Sequence, residues 1–136
     1  MLLTTKGRYA VMAIVDLAQN ADEKPAKMLD IANRQDISAN YLEQIFNKLK
    51  HAEIVNSVKG PGGGYRLNHE ARSIHISDII KAVSEPIKFT RCNDAESCIK
   101  SHPKCKTHIL WKGLESKVET YLANITIADV CNGKLN

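Results

Sequence analysis

The chain has 136 residues, 43% hydrophobic and 25% charged, enough for one core or for a small domain with an extension. Aromatic residues make up only 5%, which argues against a broad stacking surface for single-stranded nucleic acid. The formal charge of +4 permits a nucleic-acid partner without demanding one. The apolar run from Tyr9 to Ala18 is short and interrupted by Asp16, far below the roughly 20 residues of a membrane span. No charged leader with a small-residue cleavage site frames it. A cytoplasmic protein with no membrane partner is expected.

Residues 5–20 read as a first helix that Thr5 can cap, with apolar residues in most of its turns. Asn20 to Pro25 is polar and reads as a loop. Lys27 to Arg34 carries Met28, Leu29, Ile31 and Ala32, the pattern of a short amphipathic helix. Gln35-Asp36-Ile37 is a tight break, after which Ser38 offers an N-cap oxygen to the next helix. That helix is predicted to run to about His51. Leu42, Ile45, Phe46 and Leu49 form its buried stripe, and Asn40, Glu43, Gln44, Asn47 and Lys48 lie opposite. Two helices joined by so short a turn have the form of a helix-turn-helix.

EIVNSVKGPGGGYRLN comes next as strand, glycine-rich turn and strand. Ile54, Val55 and Val58 lie on one arm, Tyr65 and Leu67 on the other. A hairpin directly after a helix-turn-helix is a wing. The glycines do not suit a nucleotide loop, because a strand comes after them and no Lys-Ser/Thr pair closes a P-loop. A thin tip of Gly60, Pro61 and Gly62 that brings backbone close to DNA fits better. Lys59 at its base is placed to meet phosphate or a minor groove. The fold class is therefore mainly α with a small β-hairpin wing.

Beyond the wing, Ser77 can cap a short helix from Asp78 to Ser84, which Pro86 ends. From about Lys104 to Asn124 the pattern is helical again. Leu114, Val118, Tyr121, Leu122 and Ile125 recur at spacings of three and four. So long a helix at the end of so small a chain is read as a dimerisation helix, giving a homodimer, with folding back on its own core as the alternative. The tail ITIADVCNGKLN is expected to dock on a partner, and Cys131 within it reads as a partly buried free thiol. Three divisions result: a DNA-binding domain over 1–86, a ligand segment over 87–108, and a dimerisation helix with tail over 109–136.

The ligand segment is CNDAESCIKSHPKCKTH, which holds three of the four cysteines and two of the five histidines. In a reducing compartment such clustering favours metal or redox work over disulfides. Three cysteines and a histidine make a good tetrahedral zinc set. Only Cys105 and His108, however, form the tight pair that zinc sites usually show twice. Nucleophilic catalysis would need an orienting third group and a pocket, and neither is visible. No paired carboxylates appear either, so an enzyme is not expected.

LTTKGRYAVMA, ISANYLEQIFNKLK, SVKGPGGGYRL and the segment with CKTH before a tryptophan together resemble the IscR branch of the Rrf-type transcription regulators. The resemblance runs from Leu3 to about Val130. It implies a homodimeric bacterial repressor or activator that controls iron–sulfur cluster assembly genes. It also implies a [2Fe–2S] cluster supplied by the assembly machinery, with Cys92, Cys98, Cys105 and His108 as ligands. Six residues separate Cys98 from Cys105 where this branch usually has five, and His102 is the alternative to His108. The extra residue falls in a polar stretch with Pro103, where a loop can absorb it. Imidazole can replace thiolate on one iron of such a cluster. A nitric-oxide sensor of the same fold would draw an aspartate ligand from the N-terminal region, and LTTKGRYAVMA contains no acid. The reading from another class is a small iron–sulfur or zinc metalloprotein without sequence-specific DNA binding.

On DNA, phosphate contacts are expected from Lys6, Arg8 and Lys59, with Lys48 as a further candidate. Bases would be read by the helix that starts at Ser38, lying in the major groove. Gln44 can pair with adenine, and Glu43 can accept from cytosine while repelling phosphate. Ser38, Asn40 and Tyr41 lie at the helix start. The resemblance assigns base reading to Glu43, Gln44 and the start of that helix, and places a minor-groove arginine where Lys59 stands here.

Overall fold

The computed structural model describes residues 5–20, 24–83, 87–89 and 106–135. Helix α1 spans Thr5–Gln19, α2 Met28–Gln35 and α3 Ala39–His51. Strands β1 (Val55–Val58) and β2 (Gly64–Leu67) form an antiparallel hairpin, with Val55 opposite Leu67 and Val58 opposite Gly64. A 3-10 turn at Ala71–Ser73 leads into α4, Ile76–Ala82. Helices α5 (His108–Ala123) and α6 (Ile127–Asn132) complete the described chain. Mainly helical with one small wing, the architecture is the one expected from the sequence.

The core is built from one stripe of each helix. Ala10, Ala13, Ile14 and Leu17 come from α1, and Leu42, Ile45, Phe46 and Leu49 from α3. Ile31 of α2 and Ile79, Ile80 and Val83 at α4 close around them. The predicted stripe on α3 is thus the buried one. The turn between α2 and α3 is made at Asp36, whose φ of 53° and ψ of 48° are left-handed. An aspartate tolerates that conformation better than most residues. Ile37 then donates its N–H to the Ala32 carbonyl at 3.0 Å and buries its side chain.

One buried charge fixes α1 against α2. Asp16 is 2% exposed, and Arg34 donates to it from Nε and, at 2.7 Å, from Nη2. Gln35 adds a bond of 2.8 Å. The residue that breaks the apolar run of the first helix is therefore the latch that aims the second. Sequence periodicity marks it only as an interruption, because its partners lie 18 and 19 residues away.

Two expectations are corrected. Ser77 does not cap α4: it is buried inside the first turn, and the helix starts at Ile76 behind His75. The start is set by pairing across the fold. Ile76 donates to the Ile125 carbonyl and Ile127 donates to that of Ile74, each at 2.9 Å. This pairing holds residues 74–76 extended until the helix begins. The tail, expected to dock on a partner, folds back onto its own chain: α6 packs on α1 and the 3-10 turn, and Ile127 is fully buried in the common core. Thr126 and Asp129 cap α6 reciprocally at 3.1 and 3.0 Å, and Gly133 ends it at φ 66°. The T-x-x-D…G spacing was the available signal. Among the described residues no helix is long and apolar enough to cross a membrane.

Candidate nucleic-acid interface and the cysteine segment

The outer face of α3 is built by default. Once Leu42, Ile45, Phe46 and Leu49 point inward, Asn40, Glu43, Gln44 and Asn47 are left exposed, and Lys48 is half-buried. Ser38 is exposed at the N-cap and its Oγ accepts from the Tyr41 N–H at a long 3.5 Å. Tyr41 is half-buried, its ring edge-on to Tyr9 with centroids 5.8 Å apart. That contact brings the first turns of α1, with half-buried Lys6 and exposed Arg8, beside the start of α3.

The wing is held to the same helix. Tyr65 of β2 packs on Phe46 with ring centroids 4.5 Å apart. Burial first, and the nearby Glu43 carboxylate second, push the Tyr65 phenol above its usual range. Ala26 exchanges backbone hydrogen bonds with Tyr65 at 3.0 and 2.7 Å, so the segment before α2 covers the hairpin edge. That close approach fixes a glycine: a Cβ on Gly64 would lie 2.3 Å from the Ala26 carbonyl oxygen. Gly60 is needed for its φ of +103°. Lys59, Gly60, Pro61 and Gly62 are all exposed at the tip. The run GPGGGY thus serves the hairpin's own packing at one end and leaves its other end open. Arg66, exposed on β2, belongs to the same wing and was not singled out from sequence; strand alternation would have found it.

Cys92, Cys98 and Cys105, and the rival His102, lie outside the described residues. His108 is described: it is the first residue of α5 and half-buried. The expected start near Lys104 is later in the structure, since Lys106 and Thr107 form a turn. Both described ends of the cysteine-bearing segment meet α5. At the far end, Lys106 and Thr107 run directly into the helix. At the near end, Ile87 lines a crevice between α4 and α5 with Ser77, Ile80 and Thr120. Two residues on, Phe89 donates its N–H to Glu115 Oε1 at 2.9 Å. Glu115 is only 6% exposed, with Lys112 Nζ 3.3 Å from its other oxygen. The Phe89 N–H, opposed by burial and assisted by Lys112, holds the Glu115 carboxyl below its ordinary value. Sequence reasoning missed Glu115, since an acid on a helix surface normally stays in water.

The apolar pattern of α5 splits between two faces. Val118 and Leu122 turn inward with Glu115, and the helix packs on α4. Leu110, Leu114 and Tyr121 lie exposed, as does Ile109 at 81%. Cys131 is a half-buried free thiol, as expected, and burial pushes its pKa up.

A helix-turn-helix with an exposed polar face, a basic N-terminal turn and an attached hairpin is the construction of a winged helix-turn-helix regulator of transcription. The Rrf2 family, described as an iron-dependent transcriptional regulator, matches residues 3–133, and the chain belongs to it. Over 130 residues it is 46% identical to the HTH-type transcriptional regulator IscR of Vibrio campbellii, covering 96% of this chain and 77% of that one. The structure of T. potens IscR matches with a TM-score of 0.80 at 34% identity, covering 98% of this chain and 88% of that one. CymR, the global cysteine regulator of B. subtilis, matches with a TM-score of 0.82 at 29% identity over 98% of both chains. The chain is a DNA-binding transcriptional regulator of the IscR type, not an enzyme.

Proposed function

We propose that this regulator is a cytoplasmic homodimer that senses a [2Fe–2S] cluster and adjusts transcription of iron–sulfur cluster assembly genes. Cys92, Cys98, Cys105 and His108 would hold the cluster, delivered by the assembly machinery. The observation that supports this reading is that His108 opens α5 and Phe89 is hydrogen-bonded to Glu115 of the same helix. The described residues on either side of the three thiols both meet α5, one at Phe89 and the other at Lys106 and Thr107, next to the His108 imidazole. Three soft thiolates and one imidazole suit an iron–sulfur group. When bound, the cluster supplies a group whose presence reports iron and sulfide supply.

The same helix supports a route to DNA. Helix α5 packs on α4, and α4 packs on both α1 and α3. A ligand held by residues 87–108 would therefore bear on the helix that carries Glu43 and Gln44. Phosphates would be met by Lys6, Arg8, Lys59 and the tip Gly60–Pro61–Gly62, and bases by Ser38, Asn40, Tyr41, Glu43 and Gln44. Residues 1–86 are assigned to DNA, 87–108 to the ligand and α5 to dimerisation, with α6 returning to the first unit. The outward stripe Leu110, Leu114 and Tyr121 fits a second copy, because exposed apolar side chains at helical spacing gain by mutual burial.

Anaerobic purification with iron, sulfide and zinc assayed together tests the ligand, with visible and Mössbauer spectra as the second readout. Iron and acid-labile sulfide in equal amounts are expected. Zinc alone, or no iron–sulfur spectrum after reconstitution, refutes the assignment. Footprints of the loaded protein and of Cys92→Ala should differ in the operators chosen while the fold persists.

A further inference from the structure

We propose that Arg66 is a DNA-binding residue of the wing: its guanidinium grips a backbone phosphate at the rim of the minor groove, behind the tip that enters it. This inference rests on the reading that the wing meets duplex DNA.

Strand alternation sets the direction of the side chain. Tyr65 packs inward on Phe46, so Arg66, the next residue on β2, lies on the opposite, outer face and is exposed. Its cross-strand partner Asn56 is exposed on the same face. No Asp or Glu occurs between Glu53 and Glu70, so Lys59 and Arg66 leave the hairpin with two positive charges and no acid of its own. An exposed charge in a strand often keeps a free sheet edge from pairing. That duty is already met here, since β1 lies along one edge of β2 and Ala26 bonds the other edge at Tyr65. Held on both edges, the backbone under Arg66 is a firm mount for one long cation.

Depth decides which part of the duplex that cation meets. The minor groove is about 6 Å wide and about 7.5 Å deep. The two strands of a hairpin lie about 4.8 Å apart between backbone centres, before side chains are counted. Only the tip Gly60–Pro61–Gly62 is thin enough to enter. Arg66 stands two residues behind Gly64, where β2 begins, about 7 Å back along the strand. With the tip in the groove, that distance puts Arg66 at the rim, level with the sugar–phosphate backbone and not with the base edges. A guanidinium suits the place, because its planar fork matches two oxygens of one phosphate. Arg66 therefore adds affinity without sequence choice and fixes how far the tip descends.

The test measures binding of the full-length protein to two duplexes of equal length, one carrying the operator that the wild type selects from random sequence, the other a random sequence. Wild type, Arg66→Gln and Lys59→Ala are titrated by fluorescence anisotropy over a range of salt. Arg66→Gln is expected to lower the slope of log affinity against log salt by about 1 per protomer on both duplexes. Its deficit should therefore narrow by roughly 3- to 4-fold per protomer between about 50 and about 200 mM salt. Arg66→Lys keeps the charge and loses the fork, so it should keep the slope and bind more weakly than wild type at every salt. The thermal midpoint should not move, which a merely structural role would not allow. If Arg66→Gln fails to fold, Arg66→Ala is read in its place. An unchanged slope for Arg66→Gln beside a lowered one for Lys59→Ala overturns the role of Arg66 and leaves the wing on DNA. A loss confined to the operator also overturns it, since Arg66 would then read bases. Unchanged slopes for both variants overturn the reading that the wing meets DNA, and this inference with it.

Discussion

Asp16 shows how one residue can set the angle of a DNA-reading unit. Burial pushes its carboxyl up, but the hydrogen bonds from Arg34 and Gln35 and the guanidinium charge outweigh that and hold it below its ordinary value of 3.8. A carboxyl held lower in the folded state than in the unfolded one adds stability above the unfolded value, and this is lost as pH falls through the folded value. Asp16→Asn should therefore lower stability by about 2 kcal/mol at pH 7. The deficit should shrink toward zero as pH drops below 3.8, and urea midpoints across pH 7 to 3 would measure it. The Arg34 side chain, 40% exposed, can rehydrate, which keeps the loss below that of a fully buried pair. A deficit that persists unchanged at pH 3 would show that the charge is not what matters.

At the scale of elements, the proposed interface would divide the work on DNA between two kinds of contact, one from α3 and one from the wing. Lys59 sits exposed at the wing tip, suited to phosphate or to a minor groove, whereas Gln44 sits on the open face of α3. Lys59→Ala should weaken binding to all duplexes alike and lower the salt-dependence slope by about 1. Gln44→Ala should cost about 1–3 kcal/mol on the preferred operator and relax choice at one base position. Gel-shift titrations over salt and over single-base operator variants separate the two effects. If both variants lose affinity uniformly, α3 is not the reading element. The Phe46–Tyr65 packing gives the pair a common frame, since a shift of α3 carries β2 with it.

For the whole molecule, α5 has two faces with two fates. The inner one joins α4, while the outer one leaves Leu110 and Leu114 uncovered. The double change Leu110→Glu, Leu114→Glu should give a monomer by analytical ultracentrifugation without shifting the monomer's helix content. A dimer of unchanged affinity would place the interface elsewhere. Helix α6 instead belongs to the domain. Ile127→Ala, at a position with no exposure, should cost about 2–5 kcal/mol and be visible in thermal unfolding. A loss under 1 kcal/mol would mean that the tail docks only loosely.

The sequence alone determined the local features. The α3 stripe from Leu42 to Leu49, the break at Asp36, the Ser38 cap and the hairpin around GPGGGY all arise from side-chain period and turn chemistry within a few residues. The exposed candidates on α3 were legible because the buried stripe leaves only the other face. Only the tertiary structure decided matters that link distant positions. It made Asp16 a latch rather than a break, moved the start of α4 from Asp78 to Ile76, and returned the tail to the core through Ile127. It also joined Phe89 to Glu115, 26 residues apart. The reason is physical: periodicity reports whether a residue favours water, whereas a buried charge or a paired backbone segment depends on which partner the folded chain delivers.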